Sequence, residues 1–269
     1  MLPAASRGSA AHDVGGGGVT ERATFGSRAV QAAFAIAAIG AWFVVTRTGA
    51  ISPLFLPSPA AVWQALPALV QRDEFWLAIR VTLGSIAAAY AIAAVMGIAC
   101  GWIITRSTLL TKIFEPLVSG IFAIPITLFF PLFILFFGIG APSKIAYGAV
   151  YGFFPITLNT IAAFAHVDRR LIDAARAMGF TRTGILRYVL LPGAFPMVLT
   201  GLRIGFFICF ASVLGGEAIS SASGIGHNIA LAAELFEPAR MYAWIVCVVT
   251  AALTLSAAVS AVERRFREF

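Results

Sequence analysis

Long apolar runs alternate with short polar connectors along most of the chain. A bilayer core about 30 Å thick is crossed by about 20 residues of α-helix, so a run of that length predicts a membrane-spanning helix. A proline-rich connector at residues 51–74 has the apolar spacing of a short amphipathic helix lying at the membrane interface. The pattern predicts an all-α membrane protein with about six transmembrane helices, at residues 29–46, 76–105, 113–137, 145–165, 197–219 and 241–262.

Residues 1–28 lack the long apolar runs of the rest of the chain. Residues 1–28 contain a run of glycines and charges of both signs without apolar periodicity, which is typical of a disordered tail. The first apolar run is longer than the apolar core of a signal peptide, so we interpret it as a retained helix. The predicted division is a disordered cytoplasmic tail at 1–28 and a transmembrane domain at 29–269.

Composition excludes an ordinary soluble domain, because 60% of the residues are hydrophobic and only 12% are charged. A net charge of +7 by itself would also suit nucleic-acid binding. The basic residues, however, lie in the connectors between apolar runs, which is typical of a polytopic membrane protein. We therefore expect membrane lipids, and not nucleic acid, as partners.

The distribution of charge predicts the orientation. With six spans, both termini lie on one side together with the connectors 106–112 and 166–203. Because connectors rich in Lys and Arg stay in the cytoplasm, this side is predicted to be cytoplasmic. Of the 19 Lys and Arg residues, only five fall on the opposite side: Arg47, Arg72, Arg80, Lys144 and Arg240.

The connector after the fourth run is densely charged, and its capping signals predict two short helices. Asp168 is a suitable N-cap for the first helix, and Gly179 supplies the left-handed residue that ends it. Thr181 or Thr183 then caps a second helix, which Pro192 stops.

The first of these helices has a small apolar face. Its members recur at helical spacing and are Leu171, Ala174, Ala175 and Met178. Such a face outside the bilayer either docks into a groove on a partner or packs on the chain's own helices. Spacing alone favours internal packing, since most apolar stripes serve that purpose.

The same connector resembles the cytoplasmic signature of permease subunits of ABC-type importers: E-A-A, three residues, G, nine residues, I, one residue, L-P. Every interval is kept, with Asp in place of Glu and Val in place of Ile. The matching residues are Asp173, Ala174, Ala175, Gly179, Val189, Leu191 and Pro192. From about residue 54 to the end, the chain is similar to the nitrate/sulfonate/taurine branch of these permeases, in stretches such as LPSPAAVW (56–63), FFPITLNTI (153–161) and EAISSASGIGHNI (217–229).

The resemblance implies a type I ABC importer permease fold, in which the first short helix is a coupling helix that sits in a cleft of the ATPase. It also implies a homodimer, two cytoplasmic ABC ATPase subunits, and a periplasmic or lipid-anchored solute-binding protein. The chain itself would be no enzyme and would bind no cofactor, because ATP and Mg belong to the ATPase. The expected location is a bacterial inner membrane, crossed several times, with both termini cytoplasmic.

The resemblance implies that the connector containing the signature contacts the ATPase. Gly179 would permit the turn that ends the coupling helix, and Ala174 and Ala175 would allow close approach to the ATPase. Arg170, Arg176 and Arg182 either pair with an acidic rim of the ATPase or contact solvent and lipid headgroups. The expected ATPase-coupling residues are Arg170, Leu171, Ile172, Asp173, Ala174, Ala175, Arg176, Met178, Gly179 and Pro192.

Glu217 is an acidic residue at the end of the fifth predicted span. Glu217 is a carboxylate near the membrane, and ionisable groups there are candidate functional residues. Glu217 is either a gate residue or a structural partner of Arg203 or of a backbone donor. Gly224 and Gly226 then flank an external gate or are ordinary loop glycines.

Three further residues are candidates for the translocation pathway. Pro125 and Pro131 either shape a bent helix that lines the pathway or only fit it to its neighbours. Asn159, in the fourth span, hydrogen-bonds within the bundle in preference to contacting substrate.

Other chemistry has little support. The three cysteines and three histidines are too scattered for a metal site, and GIGAPSK (138–144) lacks the spacing of a phosphate loop. We therefore expect a permease for a small anion such as nitrate, a sulfonate, taurine or bicarbonate. The alternatives are an ABC permease for a pyrimidine-type vitamin precursor, and, in a different class, a stand-alone ion-coupled secondary transporter, which would need inverted repeats and buried ion sites.

Overall fold

The structure is a computed structural model that describes the backbone of residues 17–267 and most side chains of residues 30–261. All regular elements in this range are helical. The chain divides into two compact units, Met1–Pro59 and Ala60–Phe269, which are described separately. The helices are α1 (Gly17–Arg47), α2 (Pro59–Val70), α3 (Asp73–Thr105), α4 (Thr108–Phe122), α5 (Phe130–Phe137), α6 (Ala141–Ala165), α7 (Arg169–Ala177), α8 (Arg182–Ile185), α9 (Leu191–Ile219), α10 (Ile225–Glu234) and α11 (Pro238–Arg267).

The first unit contains α1, which begins at Gly17 and ends at Arg47. The backbone of residues 17–28 is therefore helical. Once a helix is nucleated, each added residue gains one hydrogen bond, and no proline interrupts residues 17–28. Residues 1–16 lie outside the described range, and the division at residue 28 stays a prediction.

In the second unit, α6 packs along both α3 and α9. Two glycines of α3 permit the close approach: a Cβ on Gly97 would stand 2.8 Å from Ile156, and one on Gly101 would stand 2.6 Å from Thr160. Such small residues let membrane helices bring their backbones together. α6 is accordingly the most enclosed span, with 56% of its apolar window buried against 28% for α3.

Membrane-crossing length identifies four or five candidate spans among the described residues. Within the described residues, four helices are long and apolar enough: α3, α6, the continuous helix Arg182–Ile219, and Pro238–Ala258 of α11. The run predicted as one span at 113–137 is instead a pair of helices bent by 75°, which would make a fifth span. The described apolar part of α1, Ala33–Arg47, is shorter than a full span.

Prolines cause the bend between α4 and α5. Pro125 disfavours helical geometry in the residue before it and has no N–H to donate. The chain then makes a 3₁₀ turn at Ile126–Phe129, and α5 starts with Pro131 in its first turn. This proline-induced bend agrees with the predicted kink.

The helix that begins at α8 runs on past Pro192, so the prediction that Pro192 stops it is wrong. A π-helical segment, Leu186–Leu190, joins α8 to α9, and Pro192 falls in the first turn of α9. The wider π turn accommodates a residue that cannot donate an N–H. Gly226, a candidate loop glycine, lies instead in the first turn of α10, which starts at Ile225.

Candidate functional site

The short helix α7 begins and ends as its capping signals predict. The side chain of Asp168 accepts a hydrogen bond from the backbone N–H of Arg170 at 2.9 Å. At the other end, Gly179 has a φ of 82°, which an L side chain adopts only with strain. The N–H groups of Gly179 and Phe180 donate to the carbonyls of Arg176 and Ala175, both at 3.0 Å, which is the Schellman arrangement.

α7 has an inward and an outward apolar face. Ala175 is only 2% exposed, and Ile172 packs on the buried cluster of Ala163, Val167 and Ala194. These two residues are therefore held by the chain itself. On the outward face, Leu171 is 57% exposed, Met178 is 70% exposed, and Ala174 lies between them. We call Leu171, Ala174 and Met178 the outward face of α7.

Charged residues border the outward face. Arg176 pairs with Asp173 of the same helix at 3.1 Å, and both side chains are about two-thirds exposed. Arg170 and Arg182 are also exposed. Pro192 lies apart from α7, in the first turn of α9. α7 thus brings most of the predicted coupling residues onto one short, capped and accessible helix.

A second site, at the opposite end of the same helices, is built around Glu217, which is 2% exposed. The hydroxyl of Thr82 lies 2.9 and 2.8 Å from the two carboxylate oxygens and donates to the carboxylate. The N–H of Gly226 donates to Oε2 at 3.0 Å, and the N–H of Ile225 donates to the Thr82 hydroxyl at 2.8 Å. One carboxylate therefore links α3, α9 and α10.

Local geometry explains why α10 starts at this carboxylate. The first N–H groups of a helix have no partner within it and carry partial positive charge, so a carboxylate there is stabilised. Gly224 precedes them with a φ of 114° and packs directly on the Glu217 side chain. Gly226 is as tightly placed, because a Cβ on it would stand 2.8 Å from that of Glu217.

Lys144 belongs to this site and lies in the first turn of α6, which corrects its assignment to a connector. Its side chain is 1% exposed, lies against Gly216, and interacts electrostatically with Glu217. Its Nζ has no hydrogen-bond partner among the described residues. The sequence signal for Lys144 is a lysine at the edge of an apolar run. The signal for Thr82 is a polar residue inside an apolar run. We call Thr82, Lys144, Glu217 and Gly226 the Glu217 cluster.

The structure shows whether Arg203 or a backbone N–H is the hydrogen-bond partner of Glu217. A backbone donor holds it, whereas Arg203 lies about four helical turns away along α9. Gly224 and Gly226 are brought together with it.

The remaining pathway candidates lie elsewhere. Asn159 donates from Nδ2 to the carbonyl of Pro155 in its own helix, at 2.8 Å, and its side chain packs on Gly201. Pro125 and Pro131 flank the 3₁₀ turn, whose neighbour Phe130 is buried against Gly216. The bend therefore contacts α9 one residue before Glu217. The described residues contain no group of three or more His, Cys, Asp or Glu that could hold a metal ion.

Comparison with known proteins accords with this architecture. A family model described as "Binding-protein-dependent transport system inner membrane component" matches residues 93–268. The chain is 31% identical over 229 residues to the taurine transport system permease protein TauC of Escherichia coli, covering 83% of each chain. It is 27% identical over 208 residues to the putative aliphatic sulfonates transport permease protein SsuC of Bacillus subtilis, covering 77% of this chain and 75% of that one.

Two further likenesses are informative. The riboflavin transport system permease protein RibX of Chloroflexus aurantiacus is 30% identical over 213 residues, covering 78% of each chain. Among solved structures, an inward-facing conformation of the MetNI methionine ABC transporter gives a TM-score of 0.63 at 22% identity, covering 73% of this chain and 99% of that chain. At this identity the last likeness concerns the fold.

Proposed function

The chain belongs to the binding-protein-dependent transport system inner membrane components, the permease subunits of ABC importers, and we propose that its cargo is a small anion of the sulfonate class. The single observation that carries the cargo proposal is the 31% identity to a taurine permease over 83% of the chain. Nitrate and bicarbonate are small anions of similar charge but are not sulfonates. The similarity to a riboflavin permease favours a heteroaromatic vitamin or its precursor as the second candidate.

Reconstituted transport tests the cargo. The chain is placed in liposomes with its cognate ATPase and solute-binding protein, and uptake of labelled taurine is measured with and without ATP. We expect ATP-dependent uptake that unlabelled aliphatic sulfonates compete for and riboflavin does not. Competition by riboflavin alone would select the second candidate. Uptake by this chain without ATPase or ATP would instead establish the stand-alone secondary transporter.

The proposed assembly follows the importer architecture. Two copies of this chain form the pathway, two cytoplasmic ATPases bind them, and a solute-binding protein delivers cargo from the other side. ATP and Mg are bound by the ATPases. We place α7 and both termini in the cytoplasm, because the connectors at that end carry most of the Lys and Arg residues.

We propose that the outward face of α7 docks into a groove of the ATPase. Three observations support this: the helix is capped at both ends, its inner face is anchored, and Leu171 and Met178 remain exposed. A helix that inserts apolar residues into a groove buries them on binding, which stabilises the complex. Because α7 is anchored on α9 and α6, movement of the ATPases would be passed to the bundle.

A charge placed in this face tests the docking. We expect Leu171→Asp to abolish co-purification of the ATPase with the permease. Leu235→Asp is a matched control, because Leu235 is 53% exposed, against 57% for Leu171, but follows α10 at the opposite end. If both variants retain the ATPase equally well, α7 is not the docking helix.

We propose that the Glu217 cluster is part of the external gate. Alternating access needs an element with two discrete arrangements, and a ligand shifts it only through different affinity for the two. The cluster joins three helices through three hydrogen bonds at the end opposite α7. Rocking of α9 against α3 and α10 would break these bonds, so the cluster would stabilise one of the two arrangements.

A further inference from the structure

A basic cavity lies at the α7 end of the bundle and has a volume of about 700 Å³. Three arginines from three different segments line it: Arg106 follows α3, Arg169 begins α7, and Arg182 begins α8. No carboxylate lines the cavity, and none of the three forms an ion pair within the described part of the chain. The cavity therefore carries uncompensated positive charge.

The arginines are suited to a phosphate group. Guanidinium groups donate paired hydrogen bonds that match the oxygens of a phosphate, and they tolerate a partly apolar setting. The guanidinium of Arg106 is held 4.0 Å from the ring centroid of Trp102. Thr108 adds an exposed hydroxyl to the same wall. The cavity can thus surround an anion from several sides.

An apolar groove of about 210 Å³ continues from this cavity. Every residue that lines it is apolar, and two of them, Trp102 and Phe164, also line the basic cavity. The groove runs between α3, α6 and the start of α9, with Ala99, Ala194 and Val198 along its walls. A ligand that fills both spaces has an anionic group joined to a hydrocarbon chain.

The depth of the groove relative to the cavity fits a lipid. Ile98 lines the groove and Arg106 lines the cavity, and along a helix their separation corresponds to about 12 Å. The positive charges therefore stand at the end of the span, where headgroups lie, and the groove stands inside the hydrocarbon region. Basic pockets between membrane helices on the cytoplasmic side characteristically bind anionic headgroups.

We propose that this pair of cavities binds one anionic phospholipid, with its phosphate among Arg106, Arg169 and Arg182 and one acyl chain in the groove. The lipid bridges the end of α3 to the first residues of α7 and α8, so it steadies the docking helix against the bundle. The site requires no particular cargo and is independent of the proposed substrate.

Lipid binding to the purified full chain tests this proposal. Native mass spectrometry in detergent compares retention of phosphatidylglycerol with that of phosphatidylcholine. We expect preferential retention of phosphatidylglycerol, weakened about fivefold for each arginine removed in Arg106→Gln/Arg182→Gln. The control Lys112→Gln/Arg187→Gln removes the same charge at the same end from exposed residues that do not line the cavity, and should retain the lipid.

Filling the groove separates a lipid from a soluble anion. Ala99 is exposed, so Ala99→Phe should occupy the groove without disturbing the core and should lower phosphatidylglycerol retention at least fivefold. Taurine or inorganic phosphate, added at millimolar concentration, should not displace the lipid. Displacement by these anions, unchanged retention in Ala99→Phe, or equal loss in both double variants would each overturn the proposal.

Discussion

The Thr82 hydroxyl donates to the Glu217 carboxylate at 2.8 Å, and both side chains are at most 2% exposed. The same hydroxyl accepts the N–H of Ile225 at 2.8 Å. One threonine of α3 therefore satisfies both a buried carboxylate of α9 and an unpaired N–H at the start of α10. A buried polar group costs little when its hydrogen bonds are complete and much when they are not.

Replacing Thr82 tests this connection. Thr82→Val keeps the shape but leaves one carboxylate lone pair and one N–H unsatisfied, so we expect a loss of about 1–3 kcal/mol for each unsatisfied group. Thr82→Ser keeps the hydroxyl and should lose less. Thermal unfolding of the purified chain measures the difference, and reconstituted uptake should fall in the same order. Equal melting temperatures for the Val and Ser variants would show that the hydroxyl is dispensable.

Gly226 and Gly215 lie close together in the sequence, but substitution by alanine should affect stability differently at the two positions. A Cβ on Gly226 would stand 2.8 Å from the Glu217 Cβ, so Gly226→Ala should destabilise the chain by about 1–3 kcal/mol. Gly215 has nothing within 4 Å and lies inside α9, so Gly215→Ala should be neutral or stabilise by up to about 1 kcal/mol. Melting temperatures distinguish them, and a destabilised Gly215→Ala would contradict the packing described.

Lys144 and Glu217 should behave as a coupled pair. Lys144→Met removes the cation beside a buried carboxylate, and Glu217→Gln removes the anion beside a lysine without a hydrogen-bond partner. Each single change leaves a buried charge uncompensated and should be destabilising. The double variant should recover about 0.5–3 kcal/mol relative to the sum of the single changes. Additive unfolding energies would show that the two charges do not interact.

Gly179 offers a test of backbone conformation alone. Its φ is 82°, yet nothing lies within 4 Å of the position of a Cβ, so Gly179→Ala adds strain without a clash. We expect a cost of about 1–2 kcal/mol at the end of α7 and weaker ATPase binding. Asn adopts the left-handed conformation more readily, so Gly179→Asn should bind the ATPase better than Gly179→Ala. The reverse order would exclude the turn as the reason.

The stretch around α7 was predictable to a fine level. Asp168, Gly179 and Thr181 act through hydrogen bonds to N–H or carbonyl groups a few residues away, so local sequence determines them. The helical membrane architecture was also predictable, because apolar runs of spanning length have few other structures. The prediction that Pro192 stops a helix was wrong, because a π turn next to it allows the helix to continue.

Sequence by itself therefore determined the class of the protein, the caps of α7 and the spacing that marks its family. Tertiary structure decided which face of α7 stays free, since Ile172 and Ala175 point inward only because α6 and α9 lie beneath them. It also decided that Lys144 and Thr82 meet Glu217. These three residues come from different helices, and only the packing of α6 against α3 and α9 brings their side chains within reach. Local patterns specify hydrogen bonds along one helix, whereas burial and pairing between helices depend on how all of them pack.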